Sequence, residues 1–330
     1  MKLNRYFFYY FTIIFLLSLF LAYFSGFLMT NPDKESYQSI LLSDDVLGFS
    51  LEPIVGFISI ISKRVSLYTG WSALFLFYFI HLFLMYFLIF SSFKNIFEGK
   101  IFISIFALVF WILTYGILHS FIQIRFGLAN SLVLYVFSLL FSRSSYFKKI
   151  FFGGLAIFTH YSSILAVFSL FVIEFRKVQY NLNSYKLIHI GFVVILMLFN
   201  LGSIFNVLPE FLLGRIVGYL DNNMIDKTSI QSIYMSLIYY LILILSPKFN
   251  NFKLDSLRFY GALGFLPYFI VPDIEILVRL GIAFQYLLLP YLILTARYKK
   301  VLFFSTIPLS IFFLYKFYSG INSLIEYSLL

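Results

Sequence analysis

Long apolar runs, separated by short polar and basic stretches, follow one another along almost the whole chain. A helix needs about 20 apolar residues to cross the hydrocarbon core of a bilayer. The pattern therefore predicts an all-α, polytopic integral membrane protein with about ten or eleven membrane segments. The clear spanning segments are predicted at residues 6–29, 70–90, 101–121, 124–141, 187–205, 230–245, 259–271, 276–295 and 301–318.

Two further segments fit more than one arrangement. Residues 46–62 form a short apolar run that carries Glu52 and Pro53. Residues 150–174 are long enough for one span, but the polar stretch 159–163 divides them. Because lysine and arginine concentrate in cytoplasmic loops, the distribution of basic residues discriminates between the possible arrangements.

The preferred arrangement places 46–62 on the outer surface and makes 150–174 a broken hairpin of two half-helices. It puts most basic residues inside, including Lys148, Arg176 and Arg258. A single crossing at 150–174 alone would invert the rest of the chain and reverse this bias, so it is rejected. A third arrangement, with a true span at 46–62 and a single crossing at 150–174, remains as an alternative.

The preferred arrangement implies one membrane domain over residues 1–330 with a cytoplasmic N-terminus. Its outer loops cover residues 30–69 and 206–229, and all of its inner loops are short. No inner loop is long enough for a nucleotide-binding module. We therefore do not expect ATP-driven transport by this chain alone.

Composition excludes several classes of protein. Hydrophobic residues make up 62% of the chain and charged residues 12%, whereas a soluble domain is about half apolar and about a quarter charged. The net charge of +10 comes from basic groups between apolar runs, so nucleic acid is not a predicted partner. The chain has no cysteine, and its four histidines form no zinc-binding motif. We predict neither a metal nor a cofactor.

Ionisable side chains within or at the edges of membrane segments are costly, and they are therefore functional candidates. Arg125 precedes Gly127 and Ala129, which allow close backbone approach, and its planar guanidinium can bind a phosphate through two hydrogen bonds. His160 lies in the middle of 150–174 and is a suitable general base for a hydroxyl. The alternatives are an arginine that reaches the lipid headgroups and a histidine that only hydrogen-bonds a neighbouring helix.

Four short motifs follow one another in a fixed order between residues 33 and 162. They are Asp33-x-x-x-Tyr37, Glu52-Pro53 at the start of a short helix, Ile124-Arg125-x-Gly127-Leu128-Ala129, and His160-x-Ser162. In this order and spacing the chain resembles the EpsG-like, Wzy-type bacterial polysaccharide polymerases. One departure is Thr159, which stands where that family usually has a phenylalanine before the histidine.

The resemblance implies glycosyl transfer on the outer side of the bacterial cytoplasmic membrane, facing the periplasm or the cell exterior. The enzyme would join undecaprenyl-pyrophosphate-linked oligosaccharide repeat units into O-antigen, capsule or exopolysaccharide and release undecaprenyl pyrophosphate. Expected partners are these lipid-linked oligosaccharides, membrane lipids, and a flippase and a chain-length regulator of the same pathway. The donor is already energised by its anomeric phosphate bond, so no ATP or sugar nucleotide is needed.

Such a reaction needs cations for the departing pyrophosphate and a base for the acceptor hydroxyl. We expect Arg125, with Arg279 and Arg215, to bind the pyrophosphate, and His160 or an outer carboxylate to be the base. The predicted catalytic residues are His160, Arg125, Asp33 and Glu52. The predicted substrate-binding residues are Arg279, Arg215, Arg64, Tyr37 and Tyr219.

Two functions from other classes remain as alternatives. A flippase for lipid-linked oligosaccharides would also contain broken helices and buried charges. A membrane acyltransferase that modifies glycans would also use an intramembrane histidine. Deletion of the gene discriminates between the first two functions, because loss of a polymerase leaves single repeat units on the cell surface and loss of a flippase traps them inside.

Overall fold

Every regular element in the described part of the chain is a helix. The computed structural model describes residues 5–28, 33–42, 52–142, 144–175, 189–197, 229–246, 251–272, 278–296 and 304–315, and the single residues 249, 300 and 318. The helices are α1 (Arg5–Tyr23), α2 (Lys34–Leu42), α3 (Pro53–Thr69), α4 (Ala73–Ile96), α5 (Ile101–Trp111), α6 (Ile117–Phe121), α7 (Ile124–Leu140), α8 (Tyr146–Thr159), α9 (Ser163–Phe175), α10 (189–197), α11 (Ile230–Leu245), α12 (Phe252–Leu263), α13 (Pro267–Ile270), α14 (Ile282–Gln285), α15 (Leu288–Thr295) and α16 (Thr306–Tyr315). The all-α prediction is confirmed.

The protein is a multi-pass membrane protein by the length and hydropathy of its helices. Three described helical segments are long and apolar enough to span a bilayer, namely Phe8–Phe27, Ala73–Ile96 and Ile101–Phe121. The shorter apolar helices are Ile124–Leu140, Ile230–Leu245, Ile282–Thr295 and Thr306–Tyr315. Five-residue π-helical turns extend α1 through Phe24–Leu28 and join α5 to α6 through Ile112–Gly116. The exact number of crossings stays a prediction.

The chain forms two compact units, residues 1–167 with 304–330 and residues 168–303. The boundary falls within α9. The single membrane domain over residues 1–330 stays a prediction. The outer loop predicted at 30–69 contains α2 and α3, and most of the loop predicted at 206–229 lies outside the described residues.

Helices α4 and α7 are the centre of the first unit and run parallel. At one end, Asn95 Nδ2 donates a hydrogen bond to Ser138 Oγ over 3.1 Å. Nearer the other end, a Cβ added at Gly127 would lie 2.7 Å from Met85 Sδ and 2.7 Å from His119 Cβ. The close approach expected at Gly127 is therefore present, since glycine alone leaves room for both neighbours.

Helix α3 runs from the start of α7 to the start of α4. Its N-cap residue, Glu52, contacts Arg125 in the first turn of α7, and its C-cap residue, Gly70, lies shortly before Ser72, the N-cap of α4. The arrangement with a true span at 46–62 stays an alternative prediction, and the described helix in this region is Pro53–Thr69.

The predicted break in segment 150–174 is present. Helix α8 ends at Thr159, and α9 begins at Ser163. Between them His160 adopts an extended backbone conformation, with φ −159° and ψ 120°. The hairpin path of the two half-helices stays a prediction.

The second unit corrects one predicted boundary. The helix predicted to begin at 259 begins at Phe252, because Asn251 Oδ1 accepts hydrogen bonds from two N–H groups of its first turn. Arg258 was assigned to an inner loop, but it is a buried helical residue that donates to the Ser246 carbonyl at the end of α11. The charge of Arg258 thus neutralises a helix C-terminus rather than marking a loop.

Two backbone segments of the second unit touch where its helices are broken. The Gly264 carbonyl oxygen lies where a Cβ on Gly281 would be. A Cβ on Gly264 would lie 2.6 Å from the backbone nitrogen of Gln285. Gln285 Nε2 also donates to the Gly264 carbonyl over 2.7 Å. The side-chain amide thus satisfies a carbonyl that the helix break releases.

Candidate functional site

Three charged or ionisable side chains from distant parts of the first unit meet near the start of α7. Arg125 Nη1 donates to Glu52 Oε2 over 2.8 Å, and His160 Nε2 lies 3.8 Å from Glu52 Oε1. The exposed fractions of these side chains are 26% for Arg125, 13% for Glu52 and 32% for His160. The carboxylate is therefore the most enclosed member, with a cation and an imidazole on its two oxygens.

The position of Arg125 is electrostatically unfavourable unless an anion is near. Helix α7 begins at Ile124, so the guanidinium lies in the first turn, where the helix dipole disfavours positive charge. Glu52 offsets this cost, and it does so instead of capping α3 with its own side chain. The ion pair thus joins the N-terminal ends of α3 and α7 without capping either helix.

Tyr37 connects this ion pair to α2. Its buried hydroxyl lies 3.1 Å from Asp33 Oδ2 and 3.0 Å from the Ile122 carbonyl oxygen, and Arg125 Cζ lies 5.3 Å from the centre of its ring. Burial, followed by the nearby charge of Asp33, raises the pKa of Tyr37 well above its usual value of 10.0. The hydroxyl therefore stays protonated and remains a hydrogen-bond donor across the physiological pH range.

His160 is held by its own loop and by α7. Its Nδ1 lies 2.7 Å from Ser162 Oγ and accepts a hydrogen bond from the Ser162 backbone N–H over 3.4 Å. The ring of Phe126 packs edge-on against the imidazole at 5.2 Å between ring centres. Thr159, which precedes the histidine, turns its hydroxyl back to the Leu155 carbonyl at 2.7 Å. Phe126 of α7 thus supplies an aromatic contact to His160.

The structure brings together five of the predicted site residues and separates one. Asp33, Tyr37, Glu52, Arg125 and His160 form a connected cluster in the first unit. Arg64 is exposed on α3, roughly 18 Å along the helix axis from Glu52 at about 1.5 Å per residue.

Three more predicted site residues lie elsewhere in the chain. Arg279 belongs to the second unit, and Arg215 and Tyr219 lie outside the described residues. The substrate-binding roles of all three, like that of Arg64, stay predictions.

The sequence model of the EpsG family matches residues 9–329 of the chain. The chain belongs to the EpsG family. This family is linked to polysaccharide biosynthesis, and the match extends well beyond the motifs at 33–162. No curated protein and no solved structure matches the chain.

A cavity in this EpsG-family protein shares no lining residue with the charged cluster. It has a volume of about 600 Å³, and it is lined by Leu16, Leu19, Phe20, Tyr23, Phe27, Gly70, Trp71, Ser72 and Phe75. None of these residues is charged, so the cavity offers no cation for a phosphate. The charged groups of the candidate site lie in the cluster around Glu52.

Two contacts of the EpsG-family site were missed by reasoning from sequence. These are the contacts of Ser162 and Phe126 with His160. The spacing His160-x-Ser162 at a helix break was the available signal for the first contact, because a serine two residues after a histidine can hydrogen-bond its ring. Among the described residues, no group of three histidine or acidic side chains could hold a metal ion.

Proposed function

We propose that this EpsG-family protein is a polysaccharide polymerase that joins lipid-pyrophosphate-linked oligosaccharide repeat units on the outer side of the cytoplasmic membrane. The observation that carries the proposal is the cluster in which Glu52 lies between Arg125 and His160. The transfer requires a cation that binds the leaving pyrophosphate and a base that accepts a proton, and an arginine and a histidine can supply these two functions.

The proposed reaction exchanges one bond at the anomeric carbon of the donor. The acceptor hydroxyl oxygen forms a bond to that carbon, and the bond between the carbon and the pyrophosphate oxygen breaks. The proton of the hydroxyl passes to a base of the cluster, and the lipid pyrophosphate leaves with the bonding electrons. No external oxidant, reductant or nucleotide enters this balance.

Arg125 is the proposed site for the leaving group. One amino group of its guanidinium is directed at Glu52, and part of the side chain stays accessible. A pyrophosphate can therefore approach the guanidinium and compete with the carboxylate for it. A charge-assisted contact of this kind stabilises the charge that develops on the departing oxygen.

The base belongs to the same cluster. His160 and Glu52 face one another across 3.8 Å, and Asp33 is connected to Arg125 through Tyr37. Of these groups, an imidazole takes a proton most readily near neutral pH. We therefore assign proton acceptance to His160 and the support of its charged form to Glu52.

The first test replaces the arginine. We expect Arg125→Ala to lower the polymerisation rate by about 100- to 1000-fold, the loss typical of a deleted charge-stabilising donor. Arg125→Lys should recover only part of the rate, because an ammonium cannot bind a phosphate through a planar fork. The measurement is polymer length and rate with lipid-linked repeat units and purified protein in bilayers.

Lys148→Ala is the matched control, because Lys148 is an exposed cation near the start of α8, at the opposite end of that helix from His160. Full-length polymer from correctly inserted Arg125→Ala protein would refute the assignment. Gene deletion tests the function itself. Single repeat units at the cell surface support the polymerase, and repeat units trapped inside point instead to a flippase.

A further inference from the structure

The break between α8 and α9 places a serine hydroxyl directly on His160. Ser162 Oγ lies 2.7 Å from His160 Nδ1, and the Ser162 backbone N–H points at the same nitrogen over 3.4 Å. A backbone N–H only donates, so Nδ1 carries a lone pair rather than a proton. The proton of the neutral imidazole is consequently on Nε2, the nitrogen that faces Glu52 at 3.8 Å.

This proton arrangement restricts how His160 can act as a base. Its lone pair is on Nδ1, and Ser162 Oγ already lies at hydrogen-bond distance from that nitrogen. The serine hydroxyl both donates and accepts, so it is able to pass a proton from outside to Nδ1. The order carboxylate, imidazole, hydroxyl is that of a catalytic triad, with the roles of the two ring nitrogens exchanged.

We propose that Ser162 is a catalytic residue that relays the acceptor proton to His160. As the acceptor oxygen forms its bond to the anomeric carbon, its proton moves to Ser162 Oγ, and the proton of Ser162 moves to His160 Nδ1. Ser162 ends the step as a neutral hydroxyl, and His160 ends it as an imidazolium. Glu52 Oε1 lies 3.8 Å from Nε2 of this imidazolium, and Arg125 binds the other oxygen of the same carboxylate.

The inference rests on the proposed polymerase function and assigns a role within it. The competing explanation is purely structural, because Ser162 directly precedes α9, where a serine commonly caps a helix. The two explanations differ for glycine. Glycine replaces a capping serine with little loss of helix stability, whereas it removes the hydroxyl that a relay needs.

The experiment compares variants of the serine in the polymerisation assay. We expect Ser162→Ala and Ser162→Gly each to lower the rate by about 100- to 10,000-fold, the usual contribution of a general base. Ser162→Thr should retain most of the activity because it keeps the hydroxyl. The double variant with His160→Ala should be no slower than His160→Ala alone, since residues that act as a unit are not additive.

Ser163→Ala is the matched control. Ser163 is the next residue, it is buried, and its Oγ has no hydrogen-bond partner. Wild-type rates for both Ser162→Ala and Ser162→Gly would overturn the relay. A slow Ser162→Ala variant together with a Ser162→Gly variant of normal rate would also overturn the relay and support the helix cap. The relay would likewise be overturned if the rate losses of the Ser162 and His160 substitutions multiply in the double variant. If the wild-type protein itself forms no polymer, the proposed function fails instead.

A second measurement tests the hydrogen bond without relying on activity. Nitrogen NMR of histidine-labelled protein in bilayers reports which ring nitrogen carries the proton, and His160→Gln identifies the resonance among the four histidines. At a pH where His160 is neutral, we expect Nδ1 to be unprotonated and hydrogen-bonded in the wild type and altered in Ser162→Ala. A proton on Nδ1 in the wild type would exclude the relay.

Discussion

Tyr37 shows how one buried hydroxyl can organise a charged site. It joins a carboxylate at the start of α2 to a main-chain carbonyl just before α7, while its ring contacts Phe77 and Tyr78 of α4 at 5.6 Å each between ring centres. The arginine of the ion pair lies beside the same ring. Loss of the hydroxyl therefore removes a link between the start of α2 and the chain before α7, whereas the ring contact to Arg125 stays.

We expect Tyr37→Phe to reduce the stability of the first unit by about 1 to 3 kcal/mol, because the Ile122 carbonyl and Asp33 lose the single buried O–H donor that they share. Thermal unfolding of the protein in detergent measures this change. Tyr9→Phe is the control, since Tyr9 is 62% exposed on α1. Equal melting temperatures for the two variants would show that the Tyr37 hydroxyl does not stabilise the fold.

Single residues differed in how well the sequence predicted them. Arg125 and His160 could be selected because a charge beside an apolar run is costly and therefore conspicuous. The ion pair with Glu52 and the bond from Ser162 could not be derived, because both depend on where helices end and on side-chain rotamers. Neither quantity follows from the order of hydrophobic and polar residues.

At the scale of helices, the contact between α4, α6 and α7 at Gly127 depends on a missing side chain. We expect Gly127→Ala to destabilise the first unit by about 1 to 3 kcal/mol, the usual effect of overpacking a core. Gly154→Ala is the control, because a Cβ at that helical position meets no atom within 4 Å. Alanine at 154 should be neutral or stabilising by up to about 1 kcal/mol.

The comparison uses thermal unfolding of the two alanine variants under the same conditions. If Gly127→Ala unfolds at or above the wild-type temperature, the neighbours Met85 and His119 can move aside, and the tight contact is not a constraint on the fold.

Helices with long apolar runs and the break in segment 150–174 were predicted well, whereas the start of the charged helix α12 was not. The bounds of α11 agree with the prediction at 230–245, because a continuous apolar run has few alternatives. Helix α12 begins earlier than predicted, since Lys253 and Arg258 interrupt the apolar pattern although both are helical. A prediction from hydrophobicity assigns such charged residues to a loop. In the structure, Asn251 caps the helix and Arg258 is buried.

For the whole molecule, the orientation in the membrane can be tested because the chain has no native cysteine. We expect Ser39→Cys to be labelled on intact cells by a membrane-impermeant maleimide, and Ser145→Cys to be labelled only after the cells are opened. Both positions are exposed, on α2 and before α8. The same test predicts outer labelling at residue 222 and none at residue 181.

Labelling of Ser145→Cys on intact cells would reverse the orientation of α8 and place the cluster around Glu52 on the cytoplasmic side. The proposed polymerase would then be excluded, because its lipid-linked substrates are joined outside. Cells that express each variant at wild-type level and are lysed before labelling provide the control for thiol reactivity.

The close contact between Gly264 and Gly281 in the second unit limits which substitutions the sequence can accept during evolution. Because the backbone at 264 occupies the space of any side chain at 281, neither position can acquire a larger residue on its own without forcing the broken helices apart. Descendants of this sequence should therefore vary freely on the lipid-facing helix surfaces but keep both positions unsubstituted, or change them only together with Gln285.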